Sequence, residues 1–168
     1  MKKAIISLSL LFAAFSGFSA EGDAVLDFRN IFWGVHKDSC FRDGSKVKFV
    51  EDKRSMLRNA FAIPSDDKFI GAVKCDDILY LFNDENRFYK AYIKGDDDDV
   101  DQMRFILNYK FGDPKNETII DDRHIYEWIV KDVRFTLTHV IKSRFELNIE
   151  SNWQASENYK KNTSVSDF

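Results

Sequence analysis

Three histidines (His36, His124 and His139), two cysteines (Cys40 and Cys75) and a run of aspartates are the residues of this 168-residue chain with chemistry beyond packing. His36 stands close before Asp38, Ser39 and Cys40, an order compatible with a thiol activated by a neighbouring base. The plainer reading is a loop histidine beside a helix cap. His124 follows Asp121 and Asp122 closely enough to suggest a metal ligand, and a polar loop leading into a strand explains it as well. His139 falls at the end of a predicted strand, as a rim residue. Neither a His-Glu-x-x-His helix nor a phosphate-cradling glycine-rich loop is present.

Aspartate fills five positions between Asp96 and Asp101, namely Asp96, Asp97, Asp98, Asp99 and Asp101. A calcium loop of the EF-hand type needs alternating acids, a central glycine and a glutamate at its twelfth position. Counted from Asp96, the sixth residue is Asp101 and the twelfth is Leu107, so that pattern fails. Carboxylates at the start of a helix accept hydrogen bonds from its unpaired N–H groups and meet the positive end of its dipole. The run therefore reads as the front of a helix, and no metal and no cofactor is expected. Cys40 and Cys75 admit two readings. One is a disulfide, worth about 3–4 kcal/mol in the chain-entropy treatment, and the other is a pair of buried thiols.

These residues must be held by the surrounding elements. Val100, Met103, Ile106, Leu107 and Phe111 recur at helical spacing, and Gly112 and Pro114 end the segment, which predicts one main helix over about 98–111. Before it, two aromatic-rich runs flank Asn83–Asn86 and read as a hairpin. In that hairpin Ile78, Tyr80 and Phe82 share one face, while Phe88 and Tyr92 are expected to oppose Tyr89, Ala91 and Ile93. After the helix, Tyr126, Trp128 and Val130, then Val133, Phe135 and Leu137, then Phe145, Leu147 and Ile149 alternate with polar or smaller residues. They predict three further strands in an antiparallel meander. Residues 46–51 suggest one more strand, and residues 54–62 suit helix or strand equally. The predicted fold class is α+β, an antiparallel sheet of about five or six strands packed by one main helix.

Residues 1–20 have a basic start, an apolar centre and small residues before the cut, the order of a cleaved bacterial signal peptide. The expected organisation is a signal peptide over 1–20, a single domain over 21–152 and a polar tail over 153–168, with the product periplasmic or secreted. Loss of residues 1–20 removes Lys2 and Lys3 and no acid, taking the formal charge from −3 to −5. That balance argues against nucleic acid as a partner. No later run is long enough for an integral membrane segment, and the terminal Phe168 lacks the alternating strand that would precede it in an outer-membrane barrel.

The order of "FRNIFWG", "YLFNDENRFYKAYI", "ILNYKFGDP" and "YEW" resembles small exported bacterial domains. These open on an aromatic-Trp-Gly step and carry a helix ending in Tyr/Phe-Gly-x-Pro. The resemblance covers about Phe28 to Ile149. Where such domains carry an aliphatic residue after the Trp-Gly turn, this chain has Cys40. More distantly, the layout is similar to modules of outer-membrane assembly lipoproteins and of secreted β-lactamase inhibitors, although a lipid-anchor cysteine is absent. The resemblance implies a fold and a compartment but no activity.

The chain is rich in aromatics, with 16 Phe, 6 Tyr and 3 Trp, and a core can absorb most of them, while a sheet covered by one helix leaves part of one face free. Tyr89, Tyr92, Tyr126 and Trp128 are the candidates for an exposed aromatic binding surface, since Tyr and Trp dominate interface hot spots. The expected function is a non-catalytic binding module for a protein partner or cell-envelope component. The alternative is a small periplasmic hydrolase or metal-dependent enzyme using the His and Asp residues.

Overall fold

A computed structural model of the protein describes residues 27–152. The predicted signal peptide and polar tail lie outside the described residues, as does Phe168. The described chain is built from short and long strands with one helix among them. In order they are β1 (Asp27–Phe28), β2 (Ile31–Phe32), β3 (Phe41–Arg42), β4 (Ser45–Lys46), β5 (Val50–Glu51), β6 (Ala60–Ala62) and β7 (Phe69–Ile70). Then follow β8 (Val73–Phe82), β9 (Phe88–Asp96), α1 (Val100–Phe111), β10 (Asn116–Ile120), β11 (Arg123–Val130), β12 (Val133–Val140) and β13 (Arg144–Ser151).

Nine strands join in one antiparallel sheet, in the order β10-β11-β12-β13-β9-β8-β6-β5, with β7 paired to β8 off that path. Two small hairpins, β1-β2 and β3-β4, stand apart from it. The fold is therefore mainly β, and the α+β sheet of five or six strands expected from the sequence is corrected. The missed strands have physical signatures too weak for periodicity. β7 is two residues long, β6 is three, and every residue of β10 is exposed, so no apolar alternation marks it. Residues 54–59 are turn rather than helix, and Cys40 directly follows a single 3-10 turn over Lys37–Ser39.

The helix itself starts at Val100, after a 3-10 turn over Asp97–Asp99, and buries Val100, Met103, Ile106 and Leu107 against one face of the sheet. Gly112 ends it with φ 76°, a conformation only glycine adopts without cost, and the Gly112 N–H donates to Asn108 O at 2.9 Å. The same core holds Tyr80, Phe82, Phe88, Ala91, Ile93, Trp128, Phe135, Leu137, Phe145, Leu147 and Ile149 from the sheet, all fully or nearly fully buried. Among the described residues no helix is long and apolar enough to cross a membrane.

One sheet detail changes which side chains share a face. Leu81 is opposite Lys90 but Phe82 is opposite Phe88, so Tyr89 is the extra residue of a bulge. Phe88 then faces the core together with Ala91 and Ile93, while Tyr89 moves to the outer face with Tyr92. This corrects the predicted alternation, because one inserted residue reverses every side chain beyond it. A second bulge at Asp76 lets Cys75 and Ile78 both face inward.

The N-terminal hairpins cap the open end of the core. Arg29 and Asn30 form the β1-β2 turn with φ 54° and 63°, which buries Phe28 and Ile31. Trp33 stacks on Phe88 at 4.6 Å, and Gly34 N–H donates to Phe88 O at 2.8 Å. The aromatic-Trp-Gly segment thus extends the β9 end of the sheet.

Candidate functional site

Three turns that lie far apart in sequence meet above the Tyr80 end of the core. Pro64 opens a β-turn in which Asp66 N–H donates to Ile63 O at 2.9 Å, and that turn presents the Asp66 side chain. Arg42 comes from the β3-β4 hairpin, whose Asp43-Gly44 turn has φ 50° and 77°. Arg29 comes from the β1-β2 turn. All three side chains converge on one carboxylate.

Tyr80 OH donates to Asp66 Oδ2 at 2.6 Å, Arg42 Nη1 donates to Asp66 Oδ1, and Arg29 Nη1 lies 3.3 Å from Asp66 Oδ2. Arg42 Nη2 also donates to Tyr80 OH at 3.1 Å, and Arg29 Nη2 donates to Phe69 O at 2.7 Å. The side chains of Asp66, Arg29 and Arg42 are 5%, 10% and 22% exposed. Two guanidinium charges therefore meet one carboxylate in a largely water-free setting, where a charge without a counterion is costly. Burial, and then the Asp66 charge, push the Tyr80 hydroxyl well above the usual phenol range, so it stays a donor. Arg42 Nε is buried without a hydrogen-bond partner.

This cluster forms one wall of a cavity of about 650 Å³. The lining holds four basic residues (Arg29, Arg42, Lys46, Lys48) and three acidic ones (Asp43, Asp66, Asp67), locally positive in a chain of formal charge −3. Ile63, Phe69 and Val47 supply apolar wall. Chemically, such a place can hold an anionic group against the guanidiniums with an apolar portion beside it. No family model, curated protein or solved structure matches this chain.

The four aromatic residues picked from the sequence do not come together. Tyr126 and Trp128 lie on the core face, 5% and 1% exposed, with Tyr126 OH accepting from Arg104 Nη1 at 3.1 Å and Trp128 Nε1 donating to Gly112 O at 2.9 Å. Tyr89 and Tyr92 lie on the opposite face, partly buried against Ala60, Leu79 and Leu81. Cys40 and Cys75 stand as buried free thiols, and burial pushes them up to about 11 and about 12 respectively.

The histidines separate into two groups. His36 Nδ1 accepts from Asp38 N–H at 3.3 Å and caps the 3-10 turn before Cys40. His139 and His124 are cross-strand partners with ring centroids 6.0 Å apart, and His139 Nε2 lies 2.6 Å from Asp97 Oδ1. Asp96 Oδ1 accepts from Asp98 N–H at 3.2 Å and caps the 3-10 turn that leads into α1, while Asp99, at the N-cap of α1 itself, makes no side-chain capping bond. Among the described residues no three His, Cys, Asp or Glu side chains are grouped as a metal ion requires. Sequence reading did not find the Asp66 cleft. The Asp43-Gly44 pair and the turn at Pro64 mark its loops, but no spacing links residues 29, 42 and 66.

Proposed function

We propose that this protein is an exported, non-catalytic binding module, and that it takes an anionic group of a protein or cell-envelope component into the Asp66 cleft. The observation that carries this reading is the pair of guanidiniums, Arg29 and Arg42, on the single Asp66 carboxylate, at the wall of a 650 Å³ cavity whose lining holds four basic and three acidic side chains. The excess positive charge of that lining is answered by a carboxylate or phosphate. Lys46 and Lys48 line the same cavity and add attraction for that charge.

The test is a thermal melt and calorimetric titration with inorganic phosphate and with succinate, each against sodium chloride of equal ionic strength. A site held at ten times its Kd gains about 1.4 kcal/mol, a rise of several degrees in Tm. Lys46→Ala is expected to weaken that response without unfolding the chain. Equal melting in phosphate, succinate and chloride, with no heat of binding, overturns the reading.

A second reading makes His139 a general base oriented by Asp97, as in a small hydrolase, and the 2.6 Å contact favours it. Among the described residues no serine, threonine or cysteine side chain is hydrogen-bonded to that ring, so the base has no nucleophile within reach. Hydrolysis of an ester or phosphoester panel that His139→Gln abolishes would establish this reading in place of the first.

A further inference from the structure

We infer that β10 is a self-association edge, and that two copies of this chain join antiparallel through it into one continuous sheet. β10 ends the sheet on one side, and all five of its residues are exposed, with Ile119 at 62% and Ile120 at 52%. The other edge, β5, has two residues and offers little to pair with. A five-residue edge bearing adjacent isoleucines is a template for another strand.

The backbone pattern says which groups are offered. The turn at Asp121-Asp122 joins Ile120 and Arg123 as the pair nearest the loop, and a two-residue turn makes that pair hydrogen-bonded. By alternation, Asn116, Thr118 and Ile120 bond to β11, and the N–H and C=O groups of Glu117 and Ile119 point out of the sheet. At the far end Lys115 N–H donates inward to Glu127 O at 2.7 Å, a departure from the alternation that leaves Glu117 and Ile119 as the outward-facing residues of β10.

Charge then selects the partner and the register. Two copies can match their outward groups in three ways. Glu117 opposite Glu117 sets two acids against each other, and Ile119 opposite Ile119 sets Glu117 against Asp121. Each is disfavoured as a like-charge pair. The third centres the two-fold axis on Thr118. Glu117 of each copy then exchanges both backbone hydrogen bonds with Ile119 of the second copy, Asn116 meets Ile120, and Lys115 comes beside Asp121. Thr118 faces Thr118, a favourable cross-strand pair. The segment is thus complementary to itself in a single register, which identifies a second copy of this chain as the occupant.

This register gives a test that needs no knowledge of a ligand. In it the two Thr118 residues form a non-hydrogen-bonded pair with Cα atoms about 4.5 Å apart, close enough for a disulfide. Thr118→Cys, oxidised at micromolar concentration, is expected to run as a covalent dimer. Ile120→Cys, which faces Asn116 instead of itself, is expected to stay monomeric. Cys40 and Cys75 are buried and do not compete. Sedimentation of the unmodified protein is expected to show twice the protomer mass, and Thr118→Lys, an exposed change in the protomer, to halve it. A protomer mass at every concentration up to millimolar overturns the proposal. So does a dimer whose mass Thr118→Lys leaves unchanged, or equal crosslinking of the two cysteine variants.

Discussion

Replacing Asp66 with asparagine keeps the shape of the buried cluster and removes its one negative charge. Arg29 and Arg42 are then two cations with no counterion, 10% and 22% exposed. Breaking a fully buried ion pair costs about 3–5 kcal/mol, and the partial exposure of Arg42 places this case near the lower limit, about 3 kcal/mol. Tyr80→Phe removes the hydrogen bond to the same carboxylate and the one accepted from Arg42, and leaves the ring packing on Phe28, Phe49 and Phe88 intact, so it should cost about 2 kcal/mol. The double variant tests whether the groups act as a unit. Without the carboxylate charge the Tyr80 hydroxyl has less to donate to, and the two costs should fall short of additivity by about 1 kcal/mol. Urea unfolding at neutral pH, followed by the fluorescence of Trp33 and Trp128, measures all three. Phosphate should restore part of the loss in Asp66→Asn, because it supplies the missing charge. A cost below about 1 kcal/mol for Asp66→Asn, the level of an exposed pair, would show that the cluster is solvated and that the argument for the cleft fails.

Two other outcomes follow from the core. The thiols of Cys40 and Cys75 keep their protons in the fold to about 11 and about 12, above their ordinary range, so the unfolded chain binds fewer protons once pH exceeds about 8.5. Stability is then complete below that pH and lost above it, by about 1.4 kcal/mol per pH unit per thiol at most. Cys75→Val should roughly halve the slope seen in urea titrations between about pH 8 and 10, whereas a disulfide would leave no thiol slope at all. Gly95→Ala would drive a Cβ into the ring of Phe145, its cross-strand partner, and should cost about 1–3 kcal/mol by equilibrium unfolding; a neutral result would mean the ring can shift.

Much of the C-terminal half was legible because its strands are half-buried and alternate cleanly, as with Phe145, Leu147 and Ile149 against Glu146, Asn148 and Glu150. The stop at Gly112 was legible for the same kind of reason, since local backbone chemistry determines it, whereas the one aspartate cap, at Asp96, serves the 3-10 turn before α1 and not the helix itself. What escaped was non-local. Alternation groups Tyr126 with Trp128 but does not say which face the helix covers, and the bulge at Tyr89 is invisible to a period of two. β10 has no buried residue to announce it. The Asp66 cleft depends on three turns brought together only by the packing of Phe28, Ile63 and Tyr80, so its residues look like ordinary surface charges when read along the chain.

The position of β13 has a kinetic meaning. It lies between β12 and β9, pairing Arg144 with Asp96, and it is the sole link in the sheet between the β8-β9 hairpin and the β10-β12 meander. Each of those parts can form from near neighbours, but the core is sealed only when a segment about fifty residues downstream returns to β9, at the cost of closing that loop. Folding should therefore be slow relative to hairpin formation and late in synthesis. A nascent chain lacking β13 leaves the edges of β9 and β12 unpaired, and with them two templates for wrong strand pairing until the last segment arrives.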